Sequence, residues 1–223
     1  MNTEKQKVLV IGANGSTGRI VCNLLHNSPK YQPIAMIRKE SQAKHFDSNG
    51  IETILGDLEK DFESAYKGID KVIFAAGSGG STGPEKTQAV DKEGAMKSID
   101  LGKKNEVDKF VMLSSMGAGN PDKMKDSPIH PYLVAKHKAD QHLIKSGLNF
   151  SIVRPGGLTD DAGTGKIEAA ESLGKRGKIS REDVAKTLVT VLESETAADA
   201  YFEIIAGEEK IDVALEHLMA SHS

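Results

Sequence analysis

Short apolar, β-branched runs punctuate the chain: VLVI at 8–11, IAMI at 34–37, TIL at 53–55, KVIFA at 71–75, FVML at 110–113, FSIV at 150–153 and YFEII at 201–205. Most are apolar at every position rather than at every second one. A strand with one wet face alternates, whereas a strand covered on both faces of a parallel sheet does not. Between the runs lie stretches with helical character at 15–27, 62–67, 84–105, 132–146, 181–192 and 212–220. Strands alternating with helices predict an α/β fold of βαβ units with right-handed crossovers. The expectation is a doubly wound parallel sheet of about seven strands, helices on both faces and a small C-terminal extension.

Turn chemistry sharpens several boundaries. Gly147 in SGLNF and Gly68 in KGIDKV stand where a helix should stop and a strand begin. Ser180, with Asp183 three residues later, reads as a helix N-cap. No stretch resembles an interdomain linker, so residues 1–223 are expected to form a single domain. The irregular segments 78–83, 117–131 and 156–177 each follow a strand, which gathers them at the carboxyl edge of the sheet. Ligands of open α/β sheets bind at that edge, and the segments 117–131 and 156–177 are expected to cover the substrate.

Composition removes several function classes. The formal net charge is -3, with 29 basic and 32 acidic residues. That balance favours neither nucleic acid nor an anionic membrane surface. No run of 18 apolar residues occurs, and the start MNTEKQKVLVIG carries no long apolar segment. The single cysteine, Cys22, sits in the apolar run IVCNLL and reads as a core residue, in keeping with a reducing, cytoplasmic setting. No His, Cys, Asp or Glu cluster has metal-ligand spacing, so no metal is expected. A small-molecule substrate is expected, for a monomer or homodimer.

The first loop carries the most specific chemistry. VLVIGANGSTGRIV places Gly12, Gly15 and Gly18 directly after a predicted strand and at the opening of a predicted helix. In that context Gly12 permits the tight turn, Gly15 lets backbone approach a diphosphate, and Gly18 allows close helix–strand packing. The free N–H groups and positive dipole end of the helix then face the phosphates. Asn14, Ser16, Thr17 and Arg19 of the same segment are further candidate contacts. At the end of the second strand, where an acid would bind a ribose 2′-hydroxyl, stand Arg38 and Lys39. A guanidinium suits a 2′-phosphate, so NADP(H) is expected over NAD(H). Asp57 and Leu58 of LGDL, and Ala75, Ala76 and Gly77 of AAGSGG, are expected to complete the nucleotide site.

Downstream, PYLVAK holds Tyr132 and Lys136 four apart, on one face of a helix. The plain structural reading is an exposed helix with a Lys136–Asp140 surface pair. His130 reads as an exposed loop residue, and His137 as lying beside the Tyr132 face. The order GANGSTG, GDL, AAG, LSS, YLVAK and RPGGL, spread over the whole chain, resembles the short-chain dehydrogenase/reductase superfamily. It is most similar to the atypical branch that includes NmrA-like proteins, biliverdin reductase B (a flavin reductase) and bacterial proteins classed as sugar epimerases. The resemblance implies a Rossmann sheet of order 3-2-1-4-5-6-7 and hydride transfer at a carbonyl or alcohol. It implies Tyr132 as general acid or base, and Lys136 as the ammonium that favours the phenolate and binds the nicotinamide ribose. A tyrosine's ordinary value near 10 is too high without such help. It further implies a serine on the substrate oxygen, Ser115 or Ser114 with Ser115 favoured, and Pro155 and Gly156 against the nicotinamide. Two other readings stay open: a non-catalytic NAD(P)-binding sensor, and a flavin- or quinone-type reductase that does not use the tyrosine.

Overall fold

All seven apolar runs are strands in the computed structural model, which describes residues 4–77, 83–194 and 197–220. β1 (Gln6–Ile11) leads through α1 (Ser16–His26) to β2 (Tyr31–Ile37), then through α2 (Ala43–Asp47) to β3 (Glu52–Leu55). After β4 (Lys71–Phe74), α3 (Pro84–Lys86), a π-helical stretch (Thr87–Gly94) and α4 (Ala95–Lys104) run on as one rod. Next come β5 (Lys109–Leu113), α5 (His130–Ile144), β6 (Phe150–Pro155) and β7 (Gly157–Thr159). β8 (Lys166–Ala170), β9 (Lys178–Ser180), α6 (Arg181–Glu193), β10 (Ala200–Ala206), β11 (Glu209–Lys210) and α7 (Ile211–Ala220) complete the chain.

The main sheet has the order β3-β2-β1-β4-β5-β6-β10-β8-β11. From β3 to β10 every pairing is parallel, which is the expected seven-strand order. β8 and β11 extend it by antiparallel pairing, and β7 pairs with β9 in a separate small ladder. Strand order reverses between β1 and β4, which opens a crevice above their carboxyl ends.

The uninterrupted apolar runs have a direct cause. Val8 and Val10 enter a core shared with α1, α6 and α7, while Leu9 and Ile11 enter a second core shared with α4 and α5. Each face of the strand is covered, so no position is left polar. Gly68 and Gly147 take left-handed φ of +69° and +80°, as helix-stopping glycines should. Ser180 Oγ accepts from Asp183 N at 3.0 Å, the expected cap of α6.

Several expectations fail for physical reasons. The stretch 62–67 is only a 3-10 turn, Glu63–Tyr66; six residues are too few to propagate a helix, and buried Phe62, Ala65 and Tyr66 anchor it instead. The stretch 84–105 is not uniform α-helix but contains the π-helical widening. Pro131 is not a loop residue but lies in the first turn of α5, where its missing N–H costs nothing. The segment 156–177 is not irregular, because β7 and β8 lie within it. It is tied to the segment 117–131 by Glu203 of β10, whose two carboxylate oxygens accept from Gly117 N (3.3 Å) and Leu173 N (2.9 Å). The segment 78–83 lies outside the described residues apart from Gly83. No helix among the described residues is long and apolar enough to cross a membrane.

At the opposite edge of the sheet, Lys109 Nζ donates to Ser194 O (2.7 Å) and Ala197 O (3.3 Å), just past the end of α6. Burial, with Lys71 beside it, pushes this amine down to about 8, against the opposing pull of Asp199. An unfolded lysine titrates near 10.4, so between these values the unfolded chain binds more protons than the folded one and stability rises with pH. Melting temperatures of the wild type and Lys109→Met should therefore diverge in favour of the wild type from pH 8 to pH 10. A constant difference across that range would contradict the assignment.

Candidate functional site

The turn after β1 is built by its glycines. Gly12 has φ +82°, and a Cβ there would lie 2.5 Å from Ala76 N, where the β4 loop crosses. A Cβ on Gly18 would collide with Gly12 O, so only glycine lets α1 sit this close to the turn. Gly15 caps α1 in extended conformation with no side-chain cap bond, and Gly15 and Ser16 are exposed. The first N–H groups of α1 thus face an open cleft, as an anion requires.

That cleft holds about 420 Å³ and is lined by Gly12, Asn14, Gly15, Arg38, Asp57 and Leu58, among others. Arg38 reaches it and makes no ion pair among the described residues, whereas Lys39 does not line it. Gln42, which sequence reasoning missed, does: its Oε1 accepts from Arg38 N (2.9 Å) and Lys39 N (3.1 Å) and fixes the loop. Asp57 Oδ1 accepts from Glu59 N at 3.1 Å. Arg19 turns back on its own loop, Nη2 to Asn14 Oδ1 at 2.7 Å, and lines neither cavity.

Gly15, Ala76 and Gly77 also line a second cavity, of about 610 Å³, which the first therefore adjoins. A side chain at Gly15 would stand where the two meet. The second cavity brings together Ser16, Thr17, Ala75, Ser114, Tyr132 and Lys136. Ser115 is not among its lining residues; its hydroxyl lies 3.5 Å from Met116 O. The strand pleat explains the choice. Phe110 and Met112 face the α5 side of the sheet, and Ser114 continues that alternation while Ser115 turns to the other face.

Lys136 is buried. Its Nζ lies 3.2 Å from Asp91 Oδ1, 3.3 Å from both Ala76 O and Leu113 O, and 5.8 Å from the Tyr132 ring centre. Burial alone would lower its pKa, but its electrostatic interactions with Tyr132, Asp91 and Asp140 outweigh that and hold it above the ordinary value. Asp91 comes from the π-helical stretch and its side chain is wholly buried. The Lys136–Asp140 surface pair of the plain structural reading does not exist. Asp140 is also buried and instead accepts from Arg154 Nε (2.9 Å) and Ser114 Oγ (3.0 Å). Burial raises the Asp140 carboxyl above its ordinary value, against the pull of Arg154, Ser114 and Lys136. Because Ser114 gives its proton to Asp140, it shows the cavity an acceptor.

Pro155 and Gly156 do not line the cavity. A Cβ on Gly156 would collide with Gly177 O, so this residue serves the packing of β6 against the chain before β9. The cavity is lined instead by Pro128, Ile129 and Leu158, from the two segments expected to cover the substrate, and by Arg181, which sequence reasoning did not assign. His130 packs at the start of α5, with Nε2 3.9 Å from Asp122 Oδ1, and is not an open loop residue. His137 Nδ1 lies 2.7 Å from Ala118 O, away from the cavity lining. Cys22 is fully buried, and burial raises its thiol to about 12, which fits a core residue rather than a nucleophile.

Residues 12–195 match the model of an NAD(P)H-binding family. The chain belongs to the NAD(P)H-binding family. Its NAD(P)H-binding kin include proteins named as reductases and as epimerases, in keeping with the resemblance to atypical short-chain dehydrogenase/reductases. It is 41% identical over 215 residues to the "Uncharacterized sugar epimerase YhfK" of Bacillus subtilis, covering 95% of this chain and 100% of that one. It is 28% identical over 265 residues to sanguinarine reductase of Eschscholzia californica, covering 100% and 97%. A solved structure from Bacillus halodurans, described as an NAD-dependent epimerase/dehydratase, superposes with TM-score 0.92 at 37% identity, covering 96% of this chain and 100% of that one. In this NAD(P)H-binding chain, Asp140→Ala would leave the Arg154 guanidinium buried without its carboxylate. The expected loss is about 3–5 kcal/mol of stability, read from equilibrium urea unfolding. A loss below about 1 kcal/mol would mean that the guanidinium finds another partner.

Proposed function

We propose that the protein is an NADP(H)-dependent oxidoreductase acting on a small carbonyl or alcohol. The observation that carries this reading is the convergence of Tyr132, buried Lys136 and Ser114 on one cavity that adjoins the cleft at the start of α1. Gly12, Gly15 and the first turn of α1 would hold the diphosphate, Asp57 and Leu58 the adenosine, and Ala75 to Gly77 the ribose beyond. When bound, the nicotinamide supplies or accepts a hydride at the substrate carbon. Tyr132 would pass the proton to or from the substrate oxygen. Negative charge left on its oxygen is held by the Lys136 ammonium, which Asp91 keeps charged and in place. A buried ion pair adds little stability over apolar packing, so a site that needs a fixed positive charge accounts for it better than stability does. The same groups would serve an epimerase, the activity in the name of the Bacillus subtilis relative, if the carbonyl formed stays bound and is reduced on its other face.

One observation favours a second reading. The Ser114 proton is committed to Asp140, and Lys136 already faces three oxygens. If these bonds persist with ligand bound, the cofactor would reduce a flavin or quinone without help from Tyr132. Steady-state rates with NADPH and a panel of aldehydes, ketones and quinones separate the two. Tyr132→Phe should lower kcat about 10²–10⁴-fold in the first reading and leave it nearly unchanged in the second.

The preference for NADP(H) rests on Arg38, exposed, unpaired among the described residues and lining the cleft. Arg38→Ala should weaken NADPH binding about 10- to 100-fold, as expected for a lost charge-assisted hydrogen bond, and leave NADH binding unchanged. Equal affinity of the wild type for NADH and NADPH, measured by titration calorimetry, would reject the preference.

A further inference from the structure

The cavity beside Tyr132 is lined by two cations, Lys136 and Arg181, and by no carboxylate among the described residues. Lys136 is neutralised by buried Asp91. Among the described residues, Arg181 is neutralised only from outside. Its Nη1 lies 2.7 Å from Oδ1 of Asp160, whose side chain is 85% exposed. So exposed a partner holds a guanidinium weakly and is easily exchanged.

The place of Arg181 in the chain is also unfavourable for helix stability. It is the first residue of α6, where a cation opposes the helix dipole. The carboxylates which that end prefers are already present in Glu182 and Asp183, and both are used. Glu182 accepts from Gly163 N, and Asp183 accepts from Thr164 N and Gly165 N and from the Ser180 hydroxyl. They fix the segment before β8 against α6 without needing the arginine. Arg181 shares the cavity with Ser16 and Thr17 of the α1 first turn and with the apolar side chains of Ile129 and Leu158.

We propose that Arg181 is the anion-recognition residue of this cavity, taking a phosphate or carboxylate oxygen of the bound ligand in place of Asp160. Two sources fit the shared chemistry. One is the dinucleotide diphosphate at the start of α1, and the other is an acidic group on a substrate whose apolar body lies on Ile129 and Leu158. The second source rests on the oxidoreductase reading above; the first needs only the nucleotide.

Equilibrium titration of wild type, Arg181→Gln, Arg181→Lys and Asp160→Asn tests this, first with NADP+ and then, on NADP+-loaded protein, with benzoate and its neutral counterpart benzamide. Matching melting temperatures establish that each variant is folded. If the diphosphate is the partner, Arg181→Gln weakens NADP+ about 10- to 100-fold. If the substrate acid is the partner, NADP+ is unaffected, while benzoate weakens by that factor and benzamide does not change. In either case Asp160→Asn should tighten the same ligand, because the competing carboxylate is gone, and Arg181→Lys should recover part of the loss. A merely structural arginine would give neither response. The proposal is overturned if Arg181→Gln binds NADP+ and benzoate as the wild type does, or if Asp160→Asn weakens the anion. Failure of the wild type to bind NADP+ would instead count against the nucleotide reading; the benzoate–benzamide comparison on the unloaded protein then decides the role of Arg181.

Discussion

Four ionisable side chains, Lys136, Asp91, Asp140 and Arg154, lie buried at the carboxyl edge of β4, β5 and β6. Charges out of water are tolerated only when each has a partner and further hydrogen bonds. Here two basic side chains each face an acidic one, and each group comes from a different part of the fold or from a different turn of α5. Lys136 and Asp140 arise one helical turn apart, Asp91 from the π-helical stretch, and Arg154 from β6. The network therefore fixes the relative positions of two helices and a strand, and the cavity takes its shape from those positions. Arg154 also packs over the Tyr201 ring at 5.1 Å, which extends the arrangement to β10.

The π-helical widening belongs to this constraint. Gly94 lies close against Leu58, where a Cβ would be 2.8 Å from the leucine Cβ. The rod from Pro84 to Lys104 thus packs against the loop after β3 at one point and delivers Asp91 to Lys136 at another. Widened helical turns are rare and occur often at functional sites. The cleft at the start of α1 and the Tyr132 cavity are consequently both lined by this one rod, through Lys86 and Val90 in the first and Thr87 in the second.

The fold was readable because its cause is local. Apolar runs such as VLVI reflect two cores on either side of β1, and GANGSTG reflects backbone crowding that only glycine resolves. The site was less readable because its causes are tertiary. Lys136 and Asp140 stand four apart and look like a solvated pair, yet both point inward, toward different partners. The regular spacing that marks a helix says nothing of where a π turn falls, so Asp91 carried no signal. Nothing in the sequence marks Arg181 after the Ser180 cap; β7 is only three residues long, and β8, KIEAA, holds a single β-branched residue, so neither stands out as a strand. Ser114 was recoverable, since counting the pleat from Phe110 through Met112 reaches it and passes over Ser115.

Glu203 carries a last consequence. One carboxylate grips the backbone of both segments that edge the cavity, one oxygen on Gly117 and the other on Leu173. A residue that lines neither cavity thereby makes the two edges a single mechanical part. Withdrawing one segment would remove an anchor that orients the carboxylate for the other, so the positions of the two edges are coupled through the sheet.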